Sequence, residues 1–139
     1  LAEIYEDGEG TAKDPDAAAE WLKKAAALGS DRAKEALMLI KAEKKGPEEL
    51  YRLAHRLATG DGVEKDAHMA FTIYLKAAEE SHPAAMYQTA MALFSGQGTS
   101  RVKARAVEWL KKAAAAGEPR AVFRLGNMYL KGDGVKKDL

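Results

Sequence analysis

An all-α solenoid of stacked antiparallel helical hairpins is predicted by three features of this 139-residue sequence. Glycine pairs recur on a fixed clock: Gly60/Gly62, Gly96/Gly98 and Gly132/Gly134 are each separated by 36 residues (96 − 60 and 132 − 96). A helical stretch with small and large apolar residues on one face precedes each pair. A short polar loop and a second helical stretch rich in alanine follow it. Repetition at such a period marks one hairpin stacking on the next, so that neighbours close a core no single hairpin could bury.

Taken in chain order, the elements fit that frame. Gly8 and Gly10 form the first pair, and Asp14 stands four residues later, where its carboxylate would cap the next helix; Asp66 and Asp138 hold the same place. Val102 breaks the rule, and Ser100 is the substitute cap expected there. The second-type helices align as Ala18, Trp21, Leu22 and Ala25; Ala70, Ile73, Tyr74 and Ala77; and Ala106, Trp109, Leu110 and Ala113. A bulky pair edged by alanines makes a ridge, and both tryptophans are expected to pack in the core. Gly29, Ser81 and Gly117 close these helices, while Pro83 and Pro119 open the ones that follow.

The first-type helices show the complementary face. Ala85, Thr89, Ala90 and Leu93 fall at i, i+4, i+5 and i+8 of a helix placed near Pro83 to Ser95. Ala121, Leu125, Gly126 and Tyr129 take the same offsets, as do Glu49, Leu53, Ala54 and Leu57. Small residues let helix backbones approach closely, and large ones fill the groove beside them.

One stretch departs from the clock. The first glycine pair lies 52 residues before the second (60 − 8), two periods less 20. A helix from about Asp31 to Lys45 begins like a first-type helix, but Lys41 and Lys44 stand where an aromatic residue and a glycine are expected. Gly46-Pro47 then stops it, and another first-type helix runs from Glu48 to Thr59. The expectation is a single array over residues 1–139 of about four repeats, with an irregular block at 1–45, regular repeats at 47–139 and a weak junction at Lys41 to Pro47.

With those residues in place, the frame resembles the Sel-one-like repeat family, a relative of the tetratricopeptide repeat. Ala121 to Asp138 (AVFRLGNMYLKGDGVKKD) matches the first half of its motif, and Ala104 to Gly117 (ARAVEWLKKAAAAG) matches the second. The resemblance implies a right-handed superhelix of hairpins that serves as an adaptor between proteins, and it implies no catalytic residue. Bacterial members are often periplasmic or secreted, which sets the compartment the resemblance suggests. The chain opens at Leu1 in mid-pattern and closes at Lys136-Lys137-Asp138-Leu139, where a further helix would begin, so it reads as part of a longer protein.

Composition removes several classes of function. Charged residues make up 31% and hydrophobic residues 47%, in keeping with a folded chain, and Lys and Glu interrupt every stretch that could insert in a bilayer. Net charge is +1, so no bulk field points to nucleic acid. Absence of cysteine excludes disulfides, zinc-thiolate sites and thiol nucleophiles. The glycine pairs are not phosphate loops, because they follow helices and carry no GK[ST]. Nor do they make an EF-hand, which needs alternating carboxylates and a closing glutamate.

His55, His68 and His82 lie 13 and 14 residues apart and form no metal-binding pair; His82 reads as a helix-entry residue and His68 as an exposed first-turn residue. Glu48-Glu49 and Glu79-Glu80 are adjacent and diverge by about 100° on a helix, which does not build a catalytic dyad. No cofactor or metal site is expected, and the chain is read as a binding protein rather than an enzyme.

The hairpin geometry implied by the resemblance places the first-type helices on the concave side. Offsets +3, +6 and +10 then point into a groove, giving Arg52, His55 and Thr59; Gln88, Met91 and Ser95; and Arg124, Asn127 and Lys131, with Glu3 and Asp7 at equivalent places near the N-terminus. Three cations among hydrogen-bonding side chains suit an extended peptide or acidic segment, since guanidinium and amide groups hold carbonyls and carboxylates. The expected function is a protein-protein interaction scaffold. The alternatives are a binder of glycan or peptidoglycan fragments, and a regulatory or targeting module fused to an enzyme or membrane component.

Overall fold

The computed structural model describes residues 14–132, and the regular structure of those residues is seven α-helices. They are α1 (Pro15–Ala27), α2 (Asp31–Lys45), α3 (Pro47–Thr59), α4 (Ala67–Glu79), α5 (Pro83–Ser95), α6 (Lys103–Ala115) and α7 (Pro119–Lys131). The expected features at Glu3, Asp7, Gly8, Gly10, Gly134 and Asp138 lie outside the described residues. The chain divides into two compact units, Leu1–Lys45 and Gly46–Leu139.

In the first unit, α1 and α2 pack through Ala18, Leu22, Ala33 and Ile40, all buried. The Asp14 carboxylate accepts the Ala17 N–H at 3.0 Å, and Pro15 opens the helix. Lys44, in the last turn of α2, donates to Asp16 in the first turn of α1 at 2.8 Å. That bond, and then the charge of Lys44, hold the Asp16 carboxyl below its usual range. An exposed pair of this kind adds little stability, but it joins opposite ends of two antiparallel helices.

In the second unit each helix packs on the next, from α3 to α7. The predicted seams are buried: Ala54, Ala85, Ala90, Ala106, Ala113 and Ala121 are inaccessible to solvent, and Leu50, Ile73, Leu93 and Leu110 are the large side chains enclosed between them. Burying each of these large residues stabilises the unit by roughly 1.5–3 kcal/mol. On α7 the pattern loosens. Ala121 and Met128 are buried, Leu125 and Tyr129 are half-buried, and Gly126 is exposed, because among the described residues α6 is the main helix packed on α7, and α5 reaches it through Tyr87 under Arg120 and Phe94 under Arg124.

Loops repeat with the same bonds. The Asp66 N–H donates to the Leu57 carbonyl at 2.8 Å, and the Val102 N–H donates to the Leu93 carbonyl at 3.1 Å, nine residues back in each case. At the other end, the Ser30, His82 and Glu118 N–H groups bond to the carbonyls of Ala25, Ala77 and Ala113. Gly98 has the strictest requirement. Its φ is +79°, and a Cβ there would stand 2.1 Å from the Ala67 carbonyl oxygen, so the loop can lie on the start of α4 only without a side chain.

Two sequence expectations are corrected. Ser100 does not cap α6; Val102 occupies the N-cap and no side chain accepts there, whereas Asp66 accepts the Met69 N–H at 3.0 Å. Nor is Trp21 a core residue, whereas Trp109 packs on the core as expected. Trp21 is 40% exposed, and Trp109 lies half-buried against Phe71, Leu93 and Ala106. Each indole instead carries a lysine over its ring one turn on, Lys24 at 4.7 Å and Lys112 at 4.6 Å. Three-residue spacing on a helix favours that contact, and the alanines beside each indole leave it at the edge of the seam.

Candidate functional site

Two clefts lie on either side of α5, both within the second unit. The first, of about 470 Å³, is bounded by the end of α5, the loop into α6 and the exposed side of α7. Its walls are Leu93, Phe94, Arg101, Lys103, Arg124, Asn127, Met128 and Lys131. Four of the eight are cations and none is a carboxylate. Arg124 lies over the Phe94 ring at 5.2 Å, which fixes its guanidinium near an apolar wall. Arg101 is held by its Nε donating to the Phe94 carbonyl at 3.1 Å. Val102 takes the N-cap of α6, the place that Asp14 and Asp66 fill in α1 and α4, so no capping carboxylate complements this helix end.

The second cleft, of about 250 Å³, lies between the end of α3, α4 and α5. Phe71 and Tyr74 are its aromatic walls, with Ala58, Ala67, Ala70 and Ala92 between them. His55, Thr59, Gln88, Met91, Ser95 and Gln97 complete the lining, and no lysine, arginine, aspartate or glutamate is among these residues. Thr59 Oγ1 donates to the His55 carbonyl at 2.9 Å, and Ser95 Oγ accepts the Gln97 N–H at 3.3 Å. Burial pushes the Tyr74 phenol up to about 12, so it is neutral throughout the physiological range.

Eight of the nine predicted groove residues line these clefts, three in the first and five in the second. Arg52 is the exception. It is engaged by Glu49 at 3.1 Å and Glu48 at 3.5 Å on its own helix. Sequence reasoning passed over Arg101 and Lys103, because it looked for site residues on first-type helices alone. The readable signal was Val102, an apolar residue between two cations at the place where neighbouring repeats carry aspartate.

A separate cluster joins successive repeats. The His82 ring caps α5 by accepting the Ala85 N–H at Nδ1, donates from Nε2 to Glu48 and stacks on Tyr51 at 4.8 Å. Tyr51 meets Tyr74 at 5.6 Å, while Arg120 covers the Tyr87 ring at 4.5 Å and pairs with Glu118 at 2.6 Å. Its bonds to Glu118 and Tyr51 raise the Arg120 pKa further above its usual value. His68, exposed as expected, bonds through Nδ1 to the Gly98 carbonyl at 3.1 Å. Among the described residues, no group of three or more His, Asp or Glu could hold a metal ion, and no helix is long and apolar enough to cross a membrane.

The model of the Sel1 repeat matches residues 1–30, 50–82, 83–118 and 119–139. The chain belongs to the Sel1 repeat family. Residues 31–49, which hold α2 and the Gly46-Pro47 stop, are passed over by the Sel1 match. Among solved structures, a Sel1 repeat protein from Oxalobacter formigenes is 30% identical with a TM-score of 0.65, over 99% of this chain and 64% of its own length. A protective antigen of uropathogenic Escherichia coli strains, with an SLR fold, is 30% identical with a TM-score of 0.61, over 99% of this chain and 26% of its own. Cysteine rich protein B of Helicobacter pylori shares the fold at 21% identity and a TM-score of 0.58, over 81% of this chain and 95% of its own. No curated protein matches the sequence. Sel1 repeat proteins are generally protein-interaction modules, and their fold is typically a non-catalytic scaffold.

Proposed function

We propose that this Sel1 repeat chain is an interaction scaffold that holds a segment of a partner protein along the faces of α3, α5 and α7. The observation that carries this reading is the pair of clefts flanking α5, since residues at the +6 and +10 offsets of α3 and at +3, +6 and +10 of α5 and α7 line them. A repeat array keeps its seams constant and varies the exposed offsets, which is where recognition can change without disturbing the fold.

The test is a comparison of three versions of the protein as bait. Partners retained by the wild type are expected to be lost from Q88E/R124E and kept by K111E/K112E, whose lysines are exposed on α6. Equal loss from both variants, or retention by both, would remove the groove as the binding surface. Binding of muropeptides that Q88E/R124E abolishes, with no protein retained, would replace this reading with the glycan one.

A further inference from the structure

Resting on that reading, we infer that the groove recognises a bipartite acidic-apolar peptide: a carboxylate in the cleft of Arg101, Arg124 and Lys131, and an uncharged apolar side chain in the neighbouring cleft of Phe71, Tyr74 and Met91. The two clefts have opposite chemistry although they occupy equivalent places in successive repeats. Among the described residues, one presents cations, one amide at Asn127 and no carboxylate. The other presents two aromatic rings, four alanines, the His55 imidazole and polar groups, with no lysine, arginine, aspartate or glutamate among the described residues of its lining.

The charge complement decides the first position. Half the described residues around the first cleft are cationic in a protein whose net charge is only +1, so the positive potential is concentrated rather than general. The Arg124 guanidinium rests on Phe94 and the Arg101 side chain is anchored on the Phe94 carbonyl, which reduces the freedom each would lose on meeting an anion. Guanidinium groups engage planar carboxylates through paired N–H bonds, and Asn127 can serve a backbone amide beside them. In the second cleft a lysine would surrender its hydration with no carboxylate of the lining to pair it and a glutamate with no lysine or arginine, whereas an aliphatic side chain would bury against Phe71 and Tyr74.

The register follows from helix packing. The clefts are one repeat apart, between one and two helix spacings or roughly 10–20 Å, and an extended chain covers that in about three to six residues. The recognised segment therefore has an apolar anchor and an acidic anchor separated by that interval.

Fluorescence anisotropy with labelled synthetic peptides tests the inference. The probes carry one Leu and one Glu joined by Gly-Ser spacers of increasing length, and each has a Gln-for-Glu partner. Binding is expected to be best at a spacer of about three to six residues, to weaken about tenfold or more on Glu-to-Gln exchange, and to weaken with added salt. R124E/K131E should abolish the preference for Glu over Gln, and M91E should weaken the Leu-containing probes while leaving that preference in place.

Equal binding of Glu and Gln probes, with loss in Q88E/R124E, would overturn the acidic assignment and leave the groove reading standing. No binding by any probe, while the bait comparison still places a partner in the groove, would overturn the extended bipartite peptide as the ligand. Probes and partners that both ignore the groove variants would overturn the underlying reading as well.

Discussion

The imidazole of His82 lies 2.6 Å from the Glu48 carboxylate across two successive repeats, while its other nitrogen accepts the Ala85 N–H at the start of α5. The ring proton is thus on Nε2, and one side chain both caps a helix and ties it to the preceding hairpin. Hydrogen bonding from His82 holds the Glu48 carboxyl below its ordinary value of 4.5, assisted by the charge of Arg52. A carboxylate with a depressed folded pKa contributes stability in full above the unfolded value and loses it as pH falls through the folded one. Urea midpoints measured from neutral pH downward should therefore fall below about pH 4.5. E48Q should flatten that acid limb, and an unchanged limb would place the acid sensitivity elsewhere.

His82 also makes a cap prediction of its own. H82A should cost about 1 kcal/mol through loss of the α5 cap. H82N, which keeps an acceptor at the same place, should recover most of that loss. Equal stability of the two variants in denaturant titrations would mean that stacking on Tyr51, not capping, is what His82 supplies.

The turn positions form a graded series. G98A must fit a Cβ against the Ala67 carbonyl as well as adopt φ +79°, and should cost about 3 kcal/mol or more. G117A meets no atom within 4 Å and bears only the backbone strain of φ +92°, about 1 kcal/mol. Ser81 has φ +67° at the place where Gly29 and Gly117 stand, so S81G should stabilise by about 1 kcal/mol. Thermal or urea unfolding of the three variants checks the order, which reverses if the loops relax freely.

Thr89 is wholly buried in α5 and its hydroxyl has no hydrogen-bond partner. Replacing it with the isosteric valine should stabilise the protein by about 1 kcal/mol, since an unsatisfied buried hydroxyl is removed without opening a cavity. Destabilisation by T89V in urea titrations would show that the hydroxyl finds a partner in solution.

The two tryptophans should differ in their energetic roles. W109A opens space beside Phe71 and Leu93 and should cost about 2–4 kcal/mol, while W21A removes a more exposed ring and should cost about 1 kcal/mol or less. Denaturant unfolding followed by circular dichroism measures both, and equal losses would contradict their different burial.

Helix positions, turn glycines and seam alanines were legible because each rests on local chemistry repeated at one period. The prolines at the start of α5 and α7 and the left-handed glycines ending α3, α5 and α7 were readable one residue at a time. What the pattern concealed depended on contacts between elements. Trp21 matches Trp109 in the repeat, yet the two differ in cover. Arg52 matches Arg124 closely in spacing, yet Glu48 and Glu49 engage only the former. The Glu48–His82–Tyr51 contacts join residues 34 and 31 positions apart, which no helical periodicity within one element could reveal. Arg101 and Lys103 came into view only when the loop had been folded over α5.

The solvent-free alanines at Ala54, Ala85, Ala90, Ala106, Ala113 and Ala121 give successive hairpins nearly the same mating surface. A hairpin with such a surface is portable: its neighbour recognises the bare backbone ridge and is indifferent to the residues on the outward offsets. Diversity of surface can then be produced by duplicating and exchanging whole cassettes, and the cationic and aromatic clefts beside α5 are two settings of one interchangeable part.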